Sequence, residues 1–192
     1  MKIRFLPAIA LFLFAAVSVY SQSGSLADRA RQLTKEKKFG EAAELYRQAV
    51  EKDPNQAYVY TNLSWCYLEL KEYDKAVETA RKAIAIDPNS NVALNNLGYG
   101  LSMLGRTDEA IGYLQDSVKA DGTYSKSRVN LGTALMKAGR LDEALTQYKA
   151  AVEIEPNSVG LHNNLVMNMS VRNYSTSSTA IVIAEWKSGQ ME

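Results

Sequence analysis

The chain has 192 residues, with 22 Lys and Arg against 21 Asp and Glu, and a single cysteine. Its apolar and charged fractions, 46% and 22%, are those of a folded protein and argue against bulk disorder. So balanced a charge leaves no basic stripe for phosphates, so nucleic acid is not an expected partner, and lone Cys66 excludes an internal disulfide or a thiolate metal cluster.

In chain order, the first element is "MKIRFLPAIALFLFAAVSVYSQS". Lys2 and Arg4 precede an apolar run from Phe5 to Val19, followed by small and polar residues. That run is shorter than the roughly 20 residues a spanning helix needs. Residues 1–21 therefore read as a secretory signal peptide cleaved before Gln22, with an uncleaved anchor as the alternative. The expected mature protein is exported to the periplasm or the extracellular space, a bacterial cell envelope fitting best, with no membrane insertion once the signal is removed. Loss of Lys2 and Arg4 leaves 20 basic against 21 acidic residues, a net charge of −1.

Beyond residue 22 the chain copies itself every 34 residues. Ala42, Ala76, Ala110 and Ala144 keep this step, as do Leu63, Leu97, Leu131 and Leu165. Pro54, Pro88 and Pro156 share it, with Gly122 in the remaining place. Each unit has two amphipathic halves. Tyr60, Leu63 and Tyr67 form one helical stripe, and Ala76, Val77, Ala80, Ala83 and Ile84 form the other. Turns such as "KEYD", "GRTD" and "GRLD" separate the halves and offer Asp or Thr as caps for the second helix. The "DPN" and "EPN" tripeptides stop that helix, because proline disfavours helical geometry in the residue before it. Small residues at Ala30, Ser64, Gly98 and Gly132 predict close approach of the two helices, so added volume there should destabilise.

The in-phase marks "NLGYGL…GRTDEAI" and "NLGTAL…GRLDEAL…Y…A…EPN" resemble the tetratricopeptide repeat (TPR) family. The resemblance implies an all-α fold, a right-handed α-solenoid of helix–turn–helix repeats. Four units fit, 23–56, 57–90, 91–124 and 125–158, the first being weaker because Arg29 stands where others have leucine. Residues 159–192 start a fifth, then depart: Val166 replaces the small residue, Ser178 replaces the alanine, and no proline closes it. They are expected to form a degenerate terminal pair of capping helices.

Stacked helix pairs curve and offer a long concave surface. Tyr58, Asn62, Trp65 and Glu69 lie on a face of their helix distinct from the core stripe, and the resemblance implies that this face lines the ligand groove. Asn62, Asn96, Asn130 and Asn164 repeat on it, like the asparagine ladder by which some family members hold an extended peptide; bracing of one helix against the next is the alternative. A carboxamide both donates and accepts, so it suits a peptide backbone of any sequence. Four such bonds supply roughly 2–6 kcal/mol, short of the roughly 8 kcal/mol of micromolar binding. Tyr58, Trp65, Tyr99, Met103 and Met136 are the candidates for the remainder, with an apolar or aromatic ligand side chain expected near Trp65 and Tyr99. A clamp for a free C-terminal carboxylate is incomplete, since only Asn96 and Lys126 fit it.

No enzyme chemistry is expected: no catalytic residue, cofactor or metal site is assigned. His162, the lone histidine, is expected at the edge of the core, and Cys66 as a small buried residue. Asp108, Glu109, Asp142 and Glu143 fall at helix starts, where the dipole favours them. Near the end, Ile181, Val182 and Ile183 point three ways around a helix, which predicts an apolar patch for self-association or a partner. The function expected is a non-enzymatic adaptor that binds an extended peptide segment, with a self-assembling scaffold, a homo-oligomer, as the alternative.

Overall fold

The computed structural model describes residues 25–187, with side chains to Asn173. The expected signal peptide and the side chains of Ile181, Val182 and Ile183 lie outside this range. Among the described residues all regular structure is helical: α1 (25–35), α2 (Phe39–Lys52), α3 (Ala57–Glu69), α4 (Tyr73–Ile86), α5 (Asn91–Met103), α6 (Thr107–Ala120), α7 (Ser125–Lys137), α8 (Leu141–Ile154) and α9 (Val159–Lys187). None is long and apolar enough to cross a membrane.

The turn inside each unit repeats to the atom. Lys37, Lys71, Gly105 and Gly139 adopt φ of 59°, 61°, 78° and 75°. Beside them the amides of Lys38, Glu72, Arg106 and Arg140 donate to the carbonyls of Leu33, Tyr67, Leu101 and Leu135, each at 2.9 Å. This is the Schellman arrangement, which satisfies carbonyls orphaned at the helix end. The expected Asp or Thr caps are not used. Lys38, Glu72, Arg106 and Arg140 occupy the cap positions without a side-chain cap bond, and the acidic residues sit within the first turn. Arg106 and Arg140 instead reach forward to Glu109 and Glu143, both at 2.7 Å.

Between units, each second helix ends at an extended residue, Asp53, Asp87, Asp121 or Glu155. Three of these carboxylates accept the amide two residues on, from Asn55, Asn89 and Thr123. The same turn forms where Gly122 replaces proline, so the Asp side chain suffices to set it.

Packing follows the repeat. Ala42, Ala76, Ala110 and Ala144 are fully buried, and the core forms two clusters, one around Tyr46, Val59 and Leu63 and the other around Leu97, Leu101, Leu114, Leu131, Leu135 and Tyr148. Tyr60 and Tyr67 are half-buried against the first of these. The backbones of the first helices of successive units approach one another closely (α3 with α5, α5 with α7, α7 with α9), whereas those of the second helices do not, α4 and α6 meeting through the long side chains of Arg81 and Tyr113. The first helices therefore line the inner, concave side of a helical-repeat solenoid.

The small-residue positions are as tight as their sequence implies. A Cβ on Gly98 would lie 2.5 Å from Cγ of Leu114, and one on Gly132 would lie 3.0 Å from the Tyr148 ring. Gly112, on the exposed face of α6, has nothing within 4 Å. Alanine gains about 1 kcal/mol of helix propensity at either site, but overpacking costs about 1–3 kcal/mol at Gly98 alone. Gly98→Ala should lower, and Gly112→Ala raise, the midpoint of denaturant unfolding.

The C-terminal region departs from expectation. In place of two capping helices, α9 runs unbroken from Val159 to Lys187. Asn173 stands 34 residues after Gly139, where every earlier unit turns through positive φ, yet it is helical. The buried alanine of earlier second helices is replaced there by Ser178. Asn168, in register with buried Cys66, Gly100 and Ala134, is fully buried with neither amide atom hydrogen-bonded. Asn168→Ala should therefore stabilise the fold by about 1–3 kcal/mol, read by calorimetric unfolding.

Candidate functional site on the concave face

Three neighbouring first helices each present an i, i+4 pair to the same space. These are Trp65 and Glu69 on α3, Asn95 and Tyr99 on α5, and Lys126 and Asn130 on α7. Residues four apart stand one above the other on a helix, so the pairs form parallel rows across the inner face. They enclose a cavity of about 350 Å³, closed by Ser125, Val129, Glu155 and Leu161. Such a volume is at the lower end of ligand pockets.

The polar groups around it are already ordered. The Nδ2 of Asn130 donates to Oδ1 of Asn95 at 2.9 Å. Ser125, at the start of α7, donates to an oxygen of Glu155, at the end of α8. The Lys126 ammonium lies 4.9 Å from the centroid of the Trp65 ring, a cation–π contact. Burial pushes the Tyr99 phenol above its ordinary range, and Tyr73 and Glu69 add to it. At pH 7 Tyr99 is a neutral hydroxyl, able to donate and to accept.

The expected site residues separate into three groups. Trp65, Tyr99 and Asn130 line the cavity together. Tyr58 and Met103 are exposed outside it, at 46% and 40%, and Asn62 and Asn164 are half-buried and do not line it. Asn96 and Met136 face inward, which corrects their expected role. Asn96 is 1% exposed and its Nδ2 donates to the Thr61 carbonyl at 3.1 Å and to Ser64 Oγ at 3.0 Å. It braces α5 on α3 and is out of a ligand's reach. Met136 packs against the core because it shares the register of Ser102, not of Tyr99.

Asn95, Val129, Glu155 and Leu161 complete the cavity but were not marked by the stripe that picked out Trp65. Asn95 and Val129 are themselves 34 residues apart, so a second register beside the asparagine ladder held the signal.

Cys66 is fully buried, and burial raises its thiol to about 11 against the opposing contact with the Thr34 hydroxyl. Little thiolate exists there at neutral pH. His162 is exposed, with Nδ1 3.0 Å from the Ser158 carbonyl at the start of α9, not at the core edge. Among the described residues no group of three His, Cys, Asp or Glu is placed to hold a metal ion.

Comparison with known proteins agrees with this geometry. Residues 33–97 and 92–120 match two family models described as tetratricopeptide repeat, and residues 132–165 match a third described as TPR repeat. No curated protein matches the sequence. Among solved structures, MamA (41-end) from Desulfovibrio magneticus RS-1 superimposes with a TM-score of 0.69 at 18% identity, over 89% of this chain and 98% of that one. YrrB, described as a TPR protein with an unusual peptide-binding site, gives 0.62 at 25% identity over 77% and 76%. The second TPR domain of human RPAP3, solved in complex with an HSP70 peptide, gives 0.58 at 23% identity over 60% and 97%.

Proposed function

Since the chain belongs to the tetratricopeptide repeat family, we propose that it is a non-enzymatic adaptor whose concave face holds an extended segment of a partner protein. The observation that carries this reading is the cavity between α3, α5 and α7, where Trp65 and Tyr99 stand half-buried beside Asn130. Half-exposed aromatics with ordered amides are what peptide capture needs: the rings supply area at low entropy cost, and the amides satisfy backbone groups. YrrB and the RPAP3 domain, both described as peptide-binding, support the reading by analogy of fold.

The test is capture from an extract of the source cells by the full-length protein, wild type beside Tyr99→Ala/Asn130→Ala, with mass spectrometry of what is retained. A partner lost in the double variant at unchanged helicity supports the groove. A partner held equally by both places the site elsewhere. Export belongs to the same proposal and rests on residues 1–21; protein recovered from the cell envelope should give an N-terminal sequence starting at Gln22, and one starting at Met1 would mean the segment is kept.

A second reading rests on α9. Val159, Val166, Met167 and Met169 are exposed, between 45% and 74%, and in the register of Gly98 and Gly132, where a second helix would pack, Val166 meets none. A second copy covering this edge would make the chain a self-associating scaffold. Light scattering across a wide concentration range decides it: mass that rises with concentration, and no longer does so in Val166→Ser/Met169→Ser, supports the scaffold.

A further inference from the structure

The cavity beside Trp65 has an unbalanced charge. Its ionisable carboxylates and amines are Glu69, Glu155 and Lys126, two negative against one positive. All three side chains are exposed to entering solutes. The single cation rests over the Trp65 ring. Glu69 stands one turn from Trp65 on the same helix face, and Glu155 is fixed from below by Ser125, which engages one of its two oxygens. The protein thus holds a cation of its own on an aromatic face flanked by carboxylates.

We propose that this cavity is a subsite for a basic side chain, arginine in preference to lysine, of the segment bound on the concave face. The inference rests on the groove reading above and names the chemistry the groove selects. The incoming guanidinium takes the place of the Lys126 ammonium on Trp65 and pairs with Glu69 or Glu155. Arginine is preferred because its plane stacks on an indole while its fork meets a carboxylate. A neighbouring apolar side chain of the segment then rests on Tyr99, Val129 and Leu161. An acidic side chain would meet one ammonium and two carboxylates, and is disfavoured. Lys126 is in this scheme an internal competitor, which every basic ligand must displace.

That role fixes the sign of a test. A library of random 12-residue peptides displayed on phage is selected on the full-length protein, and the affinities of the enriched peptides are measured against variants. Enrichment of arginine or lysine at one position is expected. Lys126→Ala should tighten those peptides by about two- to fivefold, the equivalent of one exposed cation–π contact. Glu69→Gln/Glu155→Gln should weaken them by about tenfold or more. All three residues are exposed, so unchanged helicity is the folding control. Enrichment of acidic residues, or weaker binding in Lys126→Ala, overturns the basic subsite and leaves the groove standing. Absence of any enrichment, or peptides indifferent to Tyr99→Ala, overturns the groove and the subsite together.

Discussion

Asn96→Asp is expected to destabilise the fold by about 3–5 kcal/mol at neutral pH, the cost of a buried charge with no partner. The side chains are isosteric, so the change is one of chemistry. Asn96 is 1% exposed, and its amide gives both its hydrogens to α3, to the Thr61 carbonyl and to Ser64 Oγ. A carboxylate has no hydrogen to give and would face the Thr61 carbonyl directly. Ser64 could turn its hydroxyl toward it only by abandoning Thr61, to which it donates at 2.7 Å. Burial raises the introduced carboxyl above its unfolded value of about 3.9. The folded state then binds the proton more tightly, so stability falls as pH rises above that value. At low pH the variant should approach Asn96→Ala, which costs about 1–3 kcal/mol in lost hydrogen bonds. Thermal unfolding at pH 4 and pH 7 checks this: the midpoint should fall by about 10 °C or more at neutral pH and recover part of that in acid. Equal stability at both pH values would mean that Asn96 is not the buried brace.

Why the sequence revealed the solenoid and only part of its groove is visible at Asn96 and Asn130. The 34-residue step was legible because identical neighbours impose identical volumes: Ala42, Ala76, Ala110 and Ala144 are fully buried, and Gly98 and Gly132 each abut a large side chain. The positive-φ turn was half legible, since Gly105 and Gly139 announce it while Lys37 and Lys71 adopt it without a glycine's signature. On the inner face the spacing found Trp65, Tyr99 and Asn130 but treated Asn96 as their equal. What separates the two asparagines is the helix before them. Asn96 meets a hydroxyl at Ser64 and turns inward, whereas in the same register Asn130 meets Gly98, which has nothing to offer, and bonds Asn95 instead. Periodicity within one helix cannot carry that difference. Glu155 and Leu161 were hidden for a related reason, as they arrive from the end of α8 and the start of α9 and share no helical spacing with Trp65.

For a segment held on the concave face, Trp65→Ala is expected to weaken binding by about thirtyfold or more, about 2 kcal/mol, as for a buried aromatic anchor. Trp65 is half-buried, touches the cavity shared by three helices, and is the ring on which Lys126 rests. Its removal therefore deletes area and releases the ammonium into the cavity, where it would add a positive charge to the path of a basic ligand. The fold should lose little, because the core next to Trp65 is made by Leu63 and Cys66, on the other side of α3. Trp65→Phe keeps an aromatic face and should recover most of the affinity. The comparison site is on the other side of the solenoid. There Arg81 lies 5.5 Å from the Tyr113 centroid and donates to its hydroxyl at 3.1 Å, linking the second helices α4 and α6. Arg81→Ala removes a cation–π pair of the same kind without touching the groove. Calorimetric titration of the captured partner should then show a large loss for Trp65→Ala and none for Arg81→Ala. The reverse order would place the binding surface on the convex face, among α4 and α6, and would take the aromatic cavity out of the mechanism.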